Sequence, residues 1–233
     1  MDVFGMALQD YYAGNYTEDI STTSSLDEND VLPLPYLFRD FGQMPLIEQE
    51  ALRLSRGRVL DIGCGAGNHL LYLQEKGVDA IGLDRSKGAI DICQKRGVKH
   101  TVCADIHNYN GKRFDTLLLL MNGIGIAGKL SQLPKFLAHL KQLLSVNGQI
   151  LLDSSNIIYM FDEDQDGGYW VPGNMDYYGE VQFQMQYKNK KGPMFDWLYV
   201  DFNTLLTYAK KENFNCELIV EGKHFDYLAR LTL

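Results

Sequence analysis

This chain predicts an α/β fold with a mostly parallel sheet, and three observations carry that prediction. From Val59 to Asp153, short apolar runs alternate with helical stretches. Glycine or Asn-Gly closes those stretches at Gly77, Gly97 and Asn147-Gly148. A loop with glycine at 63, 65 and 67 joins the first apolar run to the first helix. Strands and helices alternating at this spacing require crossover connections, which set the strands parallel and cover both faces of the sheet with helices. With 233 residues, 45% hydrophobic and 22% charged, the chain suffices for one domain with a substantial core.

Local signals give the order of elements. Residues 3–13 form a short helix stopped by Gly14-Asn15. From Glu18 to Asp30 the chain is rich in Ser and Thr and holds five acids and no base, which predicts a loop or mobile segment. Pro33 and Pro35 enforce extended geometry before a helix over 46–54. This arm carries Tyr11, Tyr12, Tyr36, Phe38 and Arg39, and two readings of it stand: a lid over a site, or an amphipathic cap on one side of the sheet. Val59–Ile62 is the first core strand, followed by strands at 79–84, 98–104, 114–121 and 149–153 and by helices starting at Asn68, Ser86 and Ser131. Leu133, Phe136, Leu137, Leu140 and Leu144 mark the last of these helices by their spacing.

Beyond Asp153 the alternation stops. Residues 154–179 read as a long loop. Val181, Phe183, Met185 and Tyr187 then alternate as a strand does, and 195–200 returns after a turn over 188–193, as an inserted hairpin. A helix over 203–213 precedes strands at 216–221 and 225–233, which the short Gly222-Lys223-His224 link makes antiparallel. The expected organisation is a single domain over 1–233: an arm at 1–45, a cofactor-binding core at 46–153, the loop and hairpin insertion at 154–202, and a closing helix and two strands at 203–233.

Composition narrows the function. A net charge of −8 argues against a broad nucleic-acid footprint, which needs a basic surface. The four cysteines, at 64, 93, 103 and 216, form no CxxC pair, so neither a zinc site nor a disulfide framework is suggested. The start, Met-Asp-Val-Phe-Gly-Met, lacks the basic and long apolar stretches of a signal peptide, and the most apolar run, Leu117–Met121, is too short to span a bilayer. A cytoplasmic protein with free thiols and no membrane partner is expected.

The glycine loop separates two enzyme classes. Dinucleotide dehydrogenases use G-x-G-x-x-G, whereas here the slot for the third glycine holds Asn68. Asp61 stands two residues before the first glycine, where a carboxylate would repel a pyrophosphate and attract an ammonium group. Asp84 ends the second core strand, within reach of ribose hydroxyls. Asp105 and Ile106 follow the third strand and suit an adenine, the acid accepting from an exocyclic amine and Ile106 covering a ring face. Asn122-Gly123 follows the fourth strand and brings backbone to the centre of the crevice. An aminoacyl head, a ribose and an adenine together describe S-adenosylmethionine.

The stretches Val59-Leu-Asp-Ile-Gly-Cys-Gly-Ala-Gly67, Gly82-Leu-Asp84, Ala104-Asp105-Ile106 and Leu120-Met-Asn-Gly123 closely resemble the motifs of Rossmann-like (class I) S-adenosylmethionine-dependent methyltransferases. The resemblance is strong over about residues 50–153 and extends to 203–233 by element order. It implies a doubly wound, seven-stranded sheet whose last strand is antiparallel. It also implies that Gly63, Cys64 and Gly65, in the loop closed by Gly67, give backbone contacts to the methionine end. Asp61 and the backbone at Asn122 would hold the ammonium, Asp84 the ribose, and Arg85, Asp105 and Ile106 the adenine. In related enzymes, additions like the arm and hairpin shape the substrate pocket. One departure matters: enzymes of this fold that methylate nucleobase amines or protein glutamine carry an Asn/Asp-Pro-Pro-aromatic motif after the fourth strand, where this chain has Asn122-Gly-Ile-Gly-Ile-Ala127. A small-molecule acceptor is expected, and a nucleic acid is not.

No catalytic residue is assigned by the sequence. His107, Asp153 and tyrosines of the flanking segments are candidate bases, against a solvated loop role for His107, a loop-capping role for Asp153 and packing for His69 at the start of its helix. Tyr169-Trp170, Tyr177-Tyr178 and Trp197–Tyr199 either wall a pocket or pack the hairpin onto the sheet. Acids at 18–30 and 162–166 favour a neutral or cationic acceptor over an anionic one. Two alternatives accompany the methyltransferase reading: a protein that binds the cofactor without transfer, and a nicotinamide-dependent oxidoreductase, which the glycine spacing and Asp61 disfavour. Oligomeric state is not legible.

Overall fold

The computed structural model describes residues 1–26, 28–173 and 175–233. Asp27 of the acidic segment and Asn174 of the long loop lie outside the described residues. The first regular elements are α1 (Val3–Tyr12), β1 (Ile20–Ser24), β2 (Asn29–Leu32) and α2 (Leu46–Leu54). The core runs β3 (Arg58–Ile62), α3 (Asn68–Glu75), β4 (Asp79–Asp84), α4 (Lys87–Lys95), β5 (Thr101–Cys103), β6 (Phe114–Leu119), α5 (Leu133–Gln142) and β7 (Leu144–Ser155). The chain closes with β8 (Glu180–Tyr187), β9 (Lys190–Leu198), α6 (Phe202–Lys211), β10 (Asn215–Glu221) and β11 (Asp226–Thr232).

Seven strands form the central sheet in the order β10-β11-β7-β6-β3-β4-β5, and β11 alone runs against its neighbours. Consecutive strand residues point to opposite faces, so a run of apolar residues fills both. In β6, Leu117 and Leu119 pack with Leu137 and Leu140 of α5 and Leu205 of α6. Leu118 and the following Leu120 pack on the other side with Ile47, Ala51 and Leu52 of α2 and Leu73 of α3. Side chains close the helix N-termini: Ser86 Oγ accepts from Ala89 N–H and Asp201 accepts from Thr204 N–H.

A second sheet of four strands, ordered β2-β1-β8-β9, stands beside the core. It corrects the reading of 18–30 as a loop: Ser21 pairs with Gln186 and Thr22 with Met185, so the arm adds two strands to the inserted hairpin. Residues 34–38 form a 3-10 turn rather than extended chain, with Pro35 inside the first turn, where its missing N–H costs nothing. The hairpin loop is only Lys188-Asn189, with Lys188 at φ 53, so β9 begins five residues earlier than expected, at Lys190. Pro193 is tolerated there because β9 is an edge strand. Helix α1 lies on α4 with glycine against glycine: a Cβ on Gly88 would fall 2.5 Å from the Cα of Gly5. Asp2 ties the two helices together, accepting from the N–H groups of Gly5 and Gly88 and from Ser86 Oγ.

Candidate active site

The glycine loop is pinned to the end of β4. Gly63 and Cys64 N–H groups both donate to the Leu83 carbonyl (2.8 and 3.1 Å), Gly65 N–H donates to Asp84 Oδ2 (2.9 Å), and Gly67 N–H to the Cys64 carbonyl (2.9 Å). With φ of +77°, +52° and +85°, positions 63, 65 and 67 need glycine to make this path. The N–H groups of Gly63, Cys64, Gly65 and Gly67 are thus used within the protein. With its N–H committed to Leu83, the polar group Gly63 has left to offer a ligand is its carbonyl, an acceptor suited to an ammonium rather than to a phosphate. The Cys64 thiol packs away from the crevice beside Cys93 (3.9 Å), and that contact together with burial pushes its pKa well up.

A cavity of about 590 Å³ opens beyond the ends of β3, β4 and β5. Gly63, Asp84, Arg85, Asp105 and Ile106 line it, and Met1–Phe4 of the arm and Gly192–Trp197 around β9 close it. The Asp84 carboxyl is 9% exposed and accepts Ser86 N–H at 2.8 Å as well as Gly65 N–H. Burial raises its pKa against the lowering effect of those two donors. Each oxygen keeps a free lone pair for a ligand hydroxyl. Arg85 lies 5.9 Å above the Phe195 ring, and Asp105 Oδ1 accepts His107 N–H at 2.9 Å. His107 sits at this cavity, its Nε2 3.1 Å from the Ile126 carbonyl.

Asp61, Cys64, Gly65 and Gly67 line neither this cavity nor the next. Asp61 is 2% exposed, and its Oδ2 has no hydrogen-bond partner among the described residues. Its nearest cation is His69, with Nδ1 at 3.6 Å. His69 Nε2 meets Glu48 Oε2 at 2.9 Å, and Glu48 takes a bidentate pair from Arg39. Charges therefore alternate through the buried series Asp61, His69, Glu48, Arg39. Burial works to lower the His69 pKa, and the Asp61 and Glu48 carboxylates overcome it, raising it to about 9. Burial likewise works to raise Glu48, and His69 and Arg39 hold it below the usual value. Sequence reasoning missed this network. Its one visible signal was Glu48, a charge on the buried face of α2 beside Ile47, Ala51 and Leu52.

A second cavity, of about 570 Å³, lies beyond β6, β7 and β11. Asn122 and Asp153 form part of its floor, Phe183 and Tyr199 come from the insertion, and Glu28, Asp30 and Tyr36 come from the arm. Met121 and Asn122, both lining this second cavity, take left-handed backbone (φ 64° and 55°), a strained pair. Asn122 Oδ1 accepts from Ser155 Oγ at 2.9 Å, and Asp153 Oδ1 accepts from Gly123 N–H at 3.1 Å. Asp153 is 8% exposed, and burial pushes its pKa up to about 7 against the backbone donors of Asn122 and Gly123. Tyr177 and Tyr178 bond Asp201 instead of walling a cavity, and Trp170 is 71% exposed. The acids at 162–166 are remote from both cavities; Asp164 Oδ1 closes its own turn by accepting from Asp166 and Gly168 N–H.

Known proteins share this architecture. Over 100% of its length the chain matches a crystal structure of a SAM-dependent methyltransferase from Bacteroides fragilis in complex with S-adenosyl-L-homocysteine, with 44% identity, a TM-score of 0.92 and 94% of that chain covered. The chain belongs to the Rossmann-like S-adenosylmethionine-dependent methyltransferase family. Residues 47–151 match the family described as methionine biosynthesis protein MetW. The 2-heptyl-1-hydroxyquinolin-4(1H)-one methyltransferase of Mycobacteroides abscessus is 39% identical over 83 residues, 32% of this chain and 35% of that protein. The ubiquinone biosynthesis O-methyltransferase of Azorhizobium caulinodans is 28% identical over 128 residues, 52% of this chain and 47% of that protein. These matches span about a third and about half the length of those two relatives.

As a methyltransferase of this family, the enzyme uses S-adenosylmethionine, and its sheet order places both cavities at one topological feature. The chain winds outward from β3 to β5, then returns to β6 on the other side of β3. Ligands of open α/β sheets bind where the order reverses, outside the strand C-termini. The first cavity lies on one side of this reversal and the second on the other. No helix among the described residues is long and apolar enough to cross a membrane.

Proposed function

We propose that the chain transfers a methyl group from S-adenosylmethionine to a small-molecule acceptor, with the adenosine in the first cavity and the acceptor in the second. The observation that carries this reading is the pair of cavities flanking the β3–β6 reversal, the first lined by Gly63 and the second by Asn122. The first cavity fits an adenosine: the apolar walls Ile62, Leu83, Ile106 and Ile126 suit a flat ring, and the buried carboxyl of Asp84 suits ribose hydroxyls. Asp84 would hold the ribose, with Arg85, Asp105 and Ile106 around the adenine. The carbonyl of Gly63 and the backbone at Asn122 would face the ammonium, supported through the loop by the buried charge of Asp61. A second cavity of about 570 Å³ suits a small ligand, not a polymer. The two curated relatives are named for a hydroxyquinolinone and for ubiquinone biosynthesis, both small-molecule chemistries.

Bound S-adenosylmethionine supplies a methyl carbon that its sulfonium already activates. The protein's residues then hold the acceptor in line with that carbon and keep water out, and such positioning contributes roughly 7–11 kcal/mol in well-oriented cases. The arm and β9 close the first cavity over the crevice; Phe183 and Tyr199 wall the second. Titration calorimetry tests the cofactor assignment: S-adenosylhomocysteine binds and NADH does not, and the reverse result overturns it. Asp84→Ala weakens S-adenosylhomocysteine binding by about 1–3 kcal/mol, through lost charged hydrogen bonds; unchanged affinity refutes the ribose role.

A further inference from the structure

The second cavity is lined by acids, and its own protein pairs only part of their charge. Glu28, Asp30, Glu48, Asp153 and Asp226 line it, and among the described residues no Lys or Arg does. Most of these acids are accounted for. Glu48 is paired with Arg39 and His69, Asp226 Oδ1 accepts His224 N–H, Asp30 Oδ1 accepts Val31 N–H, and Glu28 and Asp30 are exposed to solvent. Asp153 differs. It is 92% buried at the cavity wall, being 8% exposed, and forms no ion pair among the described residues. A buried carboxylate without a cation is costly, and proteins supply one or neutralise the acid. Here the missing partner lies on the cavity side, where a ligand sits.

We propose that the acceptor is a primary or secondary amine, which enters the second cavity in its ammonium form and gives an N–H proton to Asp153. This deepens the methyltransferase reading and rests on it. The ammonium proton passes to a carboxylate oxygen, leaving a neutral amine with a free lone pair. That lone pair forms the N–C bond as the methyl C–S bond breaks, and the C–S electron pair stays on sulfur as a thioether. The product is an N-methylammonium beside a protonated Asp153, which returns its proton to solvent on release. A phenol or carboxylate acceptor would react as an oxyanion, which the acids without a cation among the described residues, Glu28, Asp30, Asp153 and Asp226, disfavour. Phe183 and Tyr199 present aromatic rings that favour a cation over an anion. The oxygen chemistry in one curated relative's name does not carry over, because the match spans only 52% of this chain.

The test offers the wild-type enzyme and S-adenosylmethionine a panel of aliphatic amines and amino sugars beside matched phenols and carboxylic acids, and reads release of S-adenosylhomocysteine. The expected hits are amines. For the best amine, calorimetry on enzyme saturated with S-adenosylhomocysteine then compares wild type with Asp153→Asn, which keeps an oxygen for Gly123 N–H. Amine binding falls about tenfold or more in the variant, the loss of a charged hydrogen bond, while S-adenosylhomocysteine affinity is preserved.

In the wild type, amine binding weakens about tenfold from pH 8 to pH 5.5 as the Asp153 carboxylate is protonated. The other titratable groups facing it are Glu48, Tyr36, His69, Asp226, His224 and Tyr199. The wild-type profile needs no variant to fold. Hits confined to phenols or acids, no amine turned over, or amine binding independent of both pH and Asp153 overturns the proposal. Failure of the wild type to bind S-adenosylhomocysteine is a different result, and overturns the cofactor assignment.

Discussion

Two buried ionisable residues make this protein's stability fall as pH rises, each in its own window and for a different reason. Asp153 has a folded pKa of about 7, above the roughly 3.9 of an unfolded aspartate. The folded state therefore binds the extra proton between those values, and stability falls as pH rises through that window. Asp153→Asn removes the slope. In urea titrations the variant is about 1–3 kcal/mol more stable than wild type at pH 8 and nearly equal to it at pH 4; equal stability at pH 8 would contradict the buried, unpaired carboxylate. His69 acts in the same direction at higher pH, but here the charged form is the one the fold stabilises. Its folded pKa of about 9 lies above its unpaired value, so the charge stabilises fully below about pH 6.5, and that contribution is lost as pH rises through 9. His69→Gln leaves Asp61 without its one ion-pair partner among the described residues and costs about 3–5 kcal/mol at pH 6. The deficit shrinks by pH 10. A deficit constant with pH would mean that His69 contributes shape alone.

At the scale of elements, the arm's attachment rests on one close crossing. Helix α1 meets α4 through Gly5 and Gly88, and a side chain at 88 would fall on the backbone of α1. Gly88→Val forces the helices apart, with an expected loss of about 1–3 kcal/mol in unfolding free energy. S-adenosylhomocysteine binding weakens with it, because Met1–Phe4 close the first cavity. If stability falls and affinity holds, α1 is a brace without a part in binding. The same elements show what could be read from the chain. Strands β3, β4, β6 and β7 announce themselves because their apolar runs are buried, and the cavity-lining positions after β3, β4 and β5 follow from that. Strands β1 and β2 were not legible: Ile20-Ser-Thr-Thr-Ser24 buries only Ile20 fully, Asn29-Asp-Val-Leu32 buries none, and the strand that holds them to the fold, β8, begins only at Glu180. The second cavity was hidden for the same reason, since arm, insertion and core meet there only after folding. Asp153 could be named from its place at a strand end. Its missing cation could not.

For the whole molecule, the consequence is that the decorations and the core form one cooperative unit. The four-stranded sheet joins residues 20–32 to 180–198, and Trp197 of β9 packs on Gly125 of the loop after β6, where a Cβ would come within 2.2 Å of its indole nitrogen. Neither the arm nor the insertion closes a core of its own: α1, β1 and β8 share one cluster through Leu8, Ile20 and Tyr187, which also takes in Ala89 and Ile92 of α4. Trp197 therefore reports on the insertion while far-ultraviolet circular dichroism reports mainly on the core. With the exposed Trp170 replaced by Phe, the two signals change together in denaturant, and coincidence of probes is the mark of two-state unfolding. Saturating S-adenosylhomocysteine shifts both curves by the same free energy, about 2.7 kcal/mol at a hundred times its Kd. The equal shift matters most. The first cavity is walled jointly by core strands and by β9, so a ligand bound there cannot stabilise one without the other. A tryptophan transition that precedes the dichroism change, and that stays in place when ligand is added, would mean that the insertion opens independently and that the first cavity does not depend on it.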